Sequence, residues 1–465
     1  MFSPASLLEV IQVLDVNASA FGVLSNQDII SGYQIDSRSV QSGHVFIAFH
    51  GNNQDGHDYL DQAQKNGASC AIVTRFVSNC SLGQIKVNDP LAVLVHIARV
   101  TRNRWPEQRL VVAITGSVGK TSTKELCARL LTNLGKTHKT FGNQNNVLGL
   151  SLTILNTPTD ALFAVLELGI NAKYEMETLA DICKPDIAII TNIAPCHLEK
   201  LENLAGVARE KSALFQALGR HATAIIPTDT PHVDILQKAA QKSRKCSFGQ
   251  ASDQAWITVK DVVLDNKAKP TFTMRWQDEQ AVCQLQTIGA HQVNNALAAA
   301  TCATIAGMGL SDIAKALSTV DMTDNRMQLV ENGQAGAWLL LDAYNASPLS
   351  LEKALQSMSE FSQQDKCLVL ADMAELGDNA LAWHKDAAYD AEKYGVTKLF
   401  TYGRLAIHTS NTFSGYAQHF EDLQQLQTAL LASMHNDMVI LIKGSRVMQL
   451  QTLSSALIQK QEEII

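Results

Sequence analysis

A chain of 465 residues, 46% of them hydrophobic, is long enough for two to four domains with ample core, and its net charge of −7 argues against non-specific nucleic-acid binding. No apolar run reaches the ~18 residues a membrane span needs. The opening MFSPASLLEVIQVLDV lacks a basic n-region and a small-residue cleavage site, so it reads as an amphipathic helix and not as a signal peptide. The nine cysteines are odd in number and scattered, with no C-x-x-C pair; Cys70, Cys183, Cys302 and Cys367 lie in apolar contexts, the pattern of reduced thiols in a cytoplasmic protein.

The first hundred residues carry strand signals in YQIDSRS, HVFIAFHG, SCAIVT and GQIKV, with a helix from Tyr59 to Asn66 before Gly67. Pro90 to Trp105 has helical period and Pro106 stops it, which puts a boundary near 106–109. From there strands at 110–114, 162–167, 186–191 and 222–226 alternate with helices at 120–134, 173–182 and 203–218. Such alternation predicts a parallel sheet with helices on both faces. A β-rich insert (WITVKDVVL, TFTMRW) and a long Ala-rich helix in GAHQVNNALAAATCATIAGM follow. A second alternating set begins near residue 337 with WLLLDA and runs through a helix from Pro348, CLVLA, a helix at 380–394, KLFTYG and DMVILIKG. The expected architecture is α/β in three domains. These are a small α/β domain over 1–107, a central parallel sheet of phosphate-loop type over 108–321 and a C-terminal Rossmann-like sheet over 322–465.

VVAITGSVGKTSTK, residues 111–124, reads as strand, glycine turn and helix opening at Lys120. Gly116 and Gly119 let the amides around Ser117 and Val118 close on a phosphate, Lys120 supplies a cation, and the Thr121 hydroxyl suits Mg²⁺. The common G-x-x-x-x-G-K-[ST] pattern wants glycine where Ile114 stands. The shorter T-G-x-x-G-K-T form points to a bound nucleoside triphosphate but away from an ordinary GTPase or motor.

Glu167 ends a strand in VLELG, where an acidic group can hold Mg²⁺ opposite the phosphates or simply cap and solvate. His197, in TNIAPCHLEKL, also follows a strand, and a structural histidine fits that position equally well. Lys211 lies on a predicted amphipathic helix and, on its own, reads as a solvated surface group. Asn143, Asn145 and Asn146 form a polar loop that could grip a substrate or only turn the chain. Asp342 and Asn345 occupy one strand-to-helix loop; Lys443, Gly444, Ser445 and Arg446 occupy another that could bind an anion. Residues 36–60, with Ser37, Arg38, Gly51, Asp55, Gly56 and His57, are polar enough for a second anionic-ligand site, though a plain scaffold remains open.

Together these motifs resemble the Mur ligases of peptidoglycan synthesis, which share their fold with folylpolyglutamate synthetase. TGSVGKTS, GNQNNVLGLSLTIL (compare G-N-x-N-N-x-x-G-x-P), LELG, APCHLE, GAHQVNNALAAAT, the arginine of DNRM and the Asp-led loop at 342 follow the family's order over essentially the whole chain. DAYNASP resembles the D-x-Y-N-A-N-P of the branch that adds D-alanyl-D-alanine, and ADMAELGDNALAWH is similar to that branch's G-D-M-x-E-L-G…H. No D-N-P-R motif of the diaminopimelate-adding branch is present. DSR…GHVFIAFHG…DGHDYL resembles the UDP-muramoyl-binding domain. The chain departs from the pattern at Ser347 (usually Asn), Cys196 (usually Ala), Asn325 (usually Gly) and at Ser-Ala after Lys211, where Gly-Glu is frequent.

The resemblance implies a monomeric ligase that uses ATP and Mg²⁺ to join D-alanyl-D-alanine to a UDP-N-acetylmuramoyl-tripeptide through an acyl phosphate. It implies that Gly116 to Ser122 cradle the phosphates and that Thr121, Glu167 and His197 hold metal. Lys120, His197 and Lys211 would serve catalysis, Lys211 at the position of a carbamylated lysine able to bind a second metal ion. His291 and Asn295 match the adenine segment, and Arg326 and Asp342 the third domain's nucleotide contacts. Asn345 with Lys443, Ser445 and Arg446 would bind the dipeptide or close the site, Asn143 and Asn146 the substrate, and Ser37, Arg38, Gly51, Asp55 and His57 the UDP-sugar. The alternatives are another amino acid ligase of the same superfamily and a regulatory protein that hydrolyses ATP without ligation.

Overall fold

The computed structural model describes residues 2–51, 54–250, 255–320, 327–331, 333–374 and 376–458. These residues form four sheets. The first runs in the order Ser19–Phe21, Gln84–Lys86, Cys70–Val73, His44–Ile47, Gly32–Gln34, parallel except at its Ser19–Phe21 edge. That edge is exposed at every position and, at three residues, too short to show an alternating pattern, so the sequence does not announce it. The N-terminal helix is Pro4–Gln12, capped by the Ser3 side chain. Pro90–Asn103 starts on Asp89, whose carboxylate accepts from Leu91 N and Ala92 N, with Pro90 where no intrahelical amide is needed. This helix packs on Val147–Leu155. One apolar cluster therefore runs from Ile47 and Ile72 through Val93 and Ile97 to Val111 and Leu150, seating the first sheet on the second.

The central sheet is six-stranded and wholly parallel, in the order Arg244–Phe248, Thr223–Pro227, Ile187–Ile190, Leu110–Thr115, Phe163–Glu167, Thr137–Lys139. Leu110–Thr115 is flanked on both sides and buried along nearly its whole length, which is why it reads as an unbroken apolar run. The chain leaves it towards one edge and later returns to build the other, so the order reverses between it and Ile187–Ile190. At such a reversal a crevice opens beyond the strands' carboxyl ends. Gln292–Ile305, rich in alanine, packs closely on Lys120–Thr132, the helix behind the phosphate loop. The insert is an antiparallel sheet of Thr258–Leu264, Pro270–Trp276 and Glu279–Gln284.

The last sheet has the order Gln328–Val330, Trp338–Asp342, Met438–Lys443, Asp365–Ala371, Lys398–Tyr402, Tyr416–Phe420, parallel except at Gln328–Val330. Asp342 pairs in register with Lys443, so the two predicted loops emerge side by side. Ala268 and Ile288 from the central part are buried in this sheet's core with Ala346 and Leu351, and Lys267 pairs with Glu331 at 2.7 Å. No described helix is long and apolar enough to cross a membrane.

Candidate active site

A cleft of about 1030 Å³ lies between the carboxyl ends of the two six-stranded sheets. Ser117 to Ser122 line one wall, with Asn143, Asn145, Asn146, Glu167, His197, His291 and Asn295; Asp342, Asn345, Lys443, Ser445 and Arg446 line the other.

The phosphate loop is shaped by its glycines. Gly119 has φ +80° and a Cβ there would stand 2.4 Å from Asn295 Oδ1; at Gly116 it would stand 1.8 Å from Thr191 Oγ1. Both positions therefore require glycine on sterics as well as backbone conformation. Thr191 and Asn192, which sequence reading passed over, brace the loop. Thr191 Oγ1 donates to Val118 O (2.6 Å) and Val118 N donates to Asn192 Oδ1 (3.0 Å). Their only signal was position, just after the strand Ile187–Ile190. Ser117 Oγ donates to Ala194 O at 2.8 Å, and Lys120 Nζ folds back to Gly116 O at 2.8 Å. The first amides of Lys120–Thr132 have no intrahelical acceptor and sit at the positive end of the helix dipole, an arrangement suited to phosphate.

Glu167 is buried. It accepts from Thr121 Oγ1 (2.8 Å) and Asn145 Nδ2 (2.9 Å), and Lys124 Nζ lies 3.9 Å away. Lys124 is itself buried, donating to Thr140 O at 2.9 Å and pairing with Glu125. The donor set beside the phosphate loop is thus a carboxylate and a hydroxyl, hard oxygens that fit Mg²⁺. Among the described residues no three His, Cys, Asp or Glu converge on a metal position, so phosphate oxygens and water would fill most of its shell, as is usual for this ion. His197 has φ +49° and precedes the short helix Leu198–Leu201. Asn146 lines the cleft and also caps Val147–Leu155 by accepting from Gly149 N (2.8 Å), while Asn145 reaches Glu167.

The surface reading of Lys211 is wrong. Its side chain is buried on Leu204–Gln216, with no hydrogen bond from Nζ among the described residues. Burial, with the nearby charge of Lys120, pushes its ammonium down to about 8. Amphipathic period does not reveal this, because a buried lysine and a solvated one look alike in sequence. His291 is also pushed down, to about 4, by burial and by Lys353 and Lys443, so it is neutral at physiological pH. Asn295 Nδ2 donates to Gln292 Oε1 at 2.8 Å.

On the opposite wall Lys443, whose loop suggested anion binding, already carries a counter-ion. It is buried and donates to Asp342 Oδ2 (2.5 Å) and Asn345 O (3.0 Å). Ser445 Oγ accepts from Ala374 N at 2.7 Å, and the exposed Arg446 lies 5.7 Å over the Tyr344 ring. Arg326 falls outside the described residues.

The N-terminal cluster does not reach this cleft. His57 is buried: Thr74 N donates to its Nε2 (3.0 Å), so Nδ1 carries the proton and donates to Asp55 (2.6 Å). Asp55 also binds Arg75 at 2.8 Å, and the His57 amide and ring with Arg75 hold its carboxyl well below the usual range. Ser37 Oγ donates to Gln62 (2.8 Å) and Arg38 pairs with Asp36 (2.7 Å). Gly56 packs against Phe49 and Ala48, and Gly51 is exposed. Most of this segment's polarity is spent on its own architecture.

Fold and cleft define a three-domain α/β protein of the nucleotide-using class, with a phosphate loop facing a second, Rossmann-like sheet. Family models agree. The model described as Mur ligase family, catalytic domain matches residues 29–101, Mur ligase middle domain matches 114–303, and Mur ligase, glutamate ligase domain matches 325–446. The chain is similar to the UDP-N-acetylmuramoyl-tripeptide–D-alanyl-D-alanine ligases of Bacillus subtilis (31% identity, 94% of this chain and 96% of the relative) and Escherichia coli (32%, 94% and 96%). A crystal structure of MurF from Acinetobacter baumannii superposes with TM-score 0.87 at 27% identity over 99% of both chains. MurF from Thermotoga maritima, at 23% identity over 93% of this chain and 98% of its own, shares the fold with TM-score 0.80. The chain belongs to the Mur ligase family.

Proposed function

We propose that this chain joins D-alanyl-D-alanine to UDP-N-acetylmuramoyl-tripeptide, driven by ATP, in the cytoplasmic stage of peptidoglycan synthesis. The observation that carries the reading is the two-sided cleft. A short phosphate loop and the DAYNASP loop line one cavity, in a chain matched nearly end to end by ligases of that name.

A carboxylate is a poor electrophile. The γ-phosphoryl group of ATP passes to the tripeptide's terminal carboxylate, releasing ADP. The dipeptide's amine attacks the carbonyl carbon, and the tetrahedral intermediate expels phosphate as the amide forms. Charge builds first on the transferring phosphoryl oxygens and then on the tetrahedral oxygen. Lys120 and the first amides of its helix answer the first, while Gly116 and Gly119 leave room for the phosphates. Thr121 and Glu167, with His197, would hold Mg²⁺, which supplies further neutralisation of phosphate charge. His291, uncharged, and Asn295 form the nucleobase end. Lys211 suits carbamylation: with its ammonium at about 8, roughly a tenth is free amine at pH 7, against ~0.03% for an ordinary lysine. Addition of CO₂ would convert a buried cation into a carboxylate. The cleft's position between sheets supports closure that keeps water from the acyl phosphate.

The test is isotopic. With ¹⁸O in the tripeptide's terminal carboxylate, one label should appear in the released phosphate. Label-free phosphate would overturn the acyl-phosphate route.

A further inference from the structure

A carboxylate that shares a metal ion with nucleotide phosphates loses that ion when the nucleotide leaves. Glu167 is buried by the fold itself, so between turnovers its charge needs another partner. Its side-chain hydrogen bonds come from neutral donors, Thr121 Oγ1 on one oxygen and Asn145 Nδ2 on the other. Lys120 sits in the phosphate loop with its ammonium against Gly116 O. One turn further along the same helix is Lys124. Thr121 and Glu167 line the cleft, and Lys124 approaches the carboxylate from behind them.

Lys124 is 1% exposed, and its ammonium is fixed in place. Nζ donates to Thr140 O at 2.9 Å, pairs with Glu125 Oε1 at 2.9 Å and stands 3.9 Å from Glu167 Oε2. Thr140 is fully buried; its hydroxyl accepts from Glu167 N at 2.9 Å and its own amide donates to Val165 O at 3.0 Å. One residue thus anchors both the head of the lysine and the backbone of the carboxylate. Glu125 is paired in turn with Lys139, so the charges alternate inwards through Lys139, Glu125, Lys124 and Glu167.

The 3.9 Å separation decides the role. It is too long for a hydrogen bond, so the lysine takes no lone pair from Glu167. It is short enough for strong attraction where water is excluded. A cation so placed offsets the carboxylate's charge and also repels a divalent ion bound to the same group.

We propose that Lys124 is a positioning residue, a built-in counter-ion that holds Glu167 ready for Mg²⁺ and opposes tight binding of the ion without nucleotide phosphates. This rests on the reading of Thr121 and Glu167 as the metal site.

Nucleotide-free protein is melted across a Mg²⁺ titration at constant ionic strength. Lys124→Met melts below wild type without Mg²⁺, because a buried charge has lost its partner, and added Mg²⁺ recovers part of the loss. The Mg²⁺ midpoint in this variant is lower than in wild type by roughly tenfold or more. Combining Lys124→Met with Glu167→Gln removes both charges, so the double variant melts above the single one and loses its Mg²⁺ response. A lysine with a merely structural role would lower the melting temperature and leave the Mg²⁺ midpoint where it was. A wild-type midpoint in Lys124→Met, or a double variant that melts no higher than the single, overturns the proposal. If Lys124→Met does not fold, the double variant decides: a folded protein supports the counter-ion and an unfolded one overturns it. These outcomes leave the ligase reading standing. Wild-type ligation undiminished in excess EDTA would overturn the metal site and the proposal together.

Discussion

Replacing Lys211 by methionine should stabilise the protein while destroying its activity. The ammonium is buried without a hydrogen-bond partner among the described residues, and its acidity is raised from an ordinary 10.5 to about 8. Holding it charged in the fold costs about 3 kcal/mol at pH 7. The sign follows from proton counts: between pH 8 and 10.5 the unfolded chain holds a proton the folded chain has lost, so wild-type stability rises with pH across that window. Below it the full cost is present. Methionine fills nearly the same volume without charge, so Lys211→Met should gain about 2–3 kcal/mol at pH 7, roughly 5–10 °C in the melting transition that includes the central sheet. By pH ~9.5 the electrostatic part of that gain should shrink to about half or less. Melting is followed in CO₂-free buffer at both pH values, with ligation assayed in parallel. A variant no more stable than wild type at pH 7, or a gain independent of pH, would refute the electrostatic account. Full activity in the variant would refute the catalytic one.

Lys120→Ala should abolish ligation with the far-UV spectrum unchanged; surviving turnover would remove the phosphate loop from the reaction. Gly119→Ala places a methyl 2.4 Å from Asn295 Oδ1 at φ +80°, so ADP binding by calorimetry should weaken at least tenfold, and unaltered binding would contradict the loop's steric argument. Asp55→Ala strips the buried His57 of its acceptor and should cost about 1–3 kcal/mol of stability without changing nucleotide affinity. Because the Asp55 carboxyl is held below its usual range, the stability it confers is present above pH ~4 and fades as pH falls below that. Scattering profiles with and without ATP and tripeptide should differ if the cleft closes, and an unchanged profile at saturation would oppose closure.

The apolar strands and the phosphate loop were legible because their signals are local. Leu110–Thr115 is buried on both faces, and glycine at 116 and 119 answers steric demands made within one turn. The strands Ser19–Phe21 and Tyr416–Phe420 were not: the first is an edge strand exposed throughout, and the second is an edge strand whose alternation is too weak to read, with only Phe420 buried. The site's supporting contacts were hidden for a different reason. Thr191 and Asn192 meet the phosphate loop across more than seventy residues of chain, and Lys443 meets Asp342 across about a hundred. Such pairings exist only once the sheet brings strand ends together. The same logic explains Lys211 and Lys443, whose burial no helical or strand pattern could disclose. His57 shows the converse ambiguity: a polar, glycine-rich stretch that reads as a binding loop also supplies a set of internal hydrogen bonds.

The most direct test of the central claim is mass spectrometry of the product formed from UDP-N-acetylmuramoyl-tripeptide, ATP and D-alanyl-D-alanine. The account predicts a single product with the summed mass of tripeptide and dipeptide substrates less one water, formed with one ADP and one phosphate each. A product extended by a single amino acid when amino acids are offered instead, with none formed from the dipeptide, would contradict it.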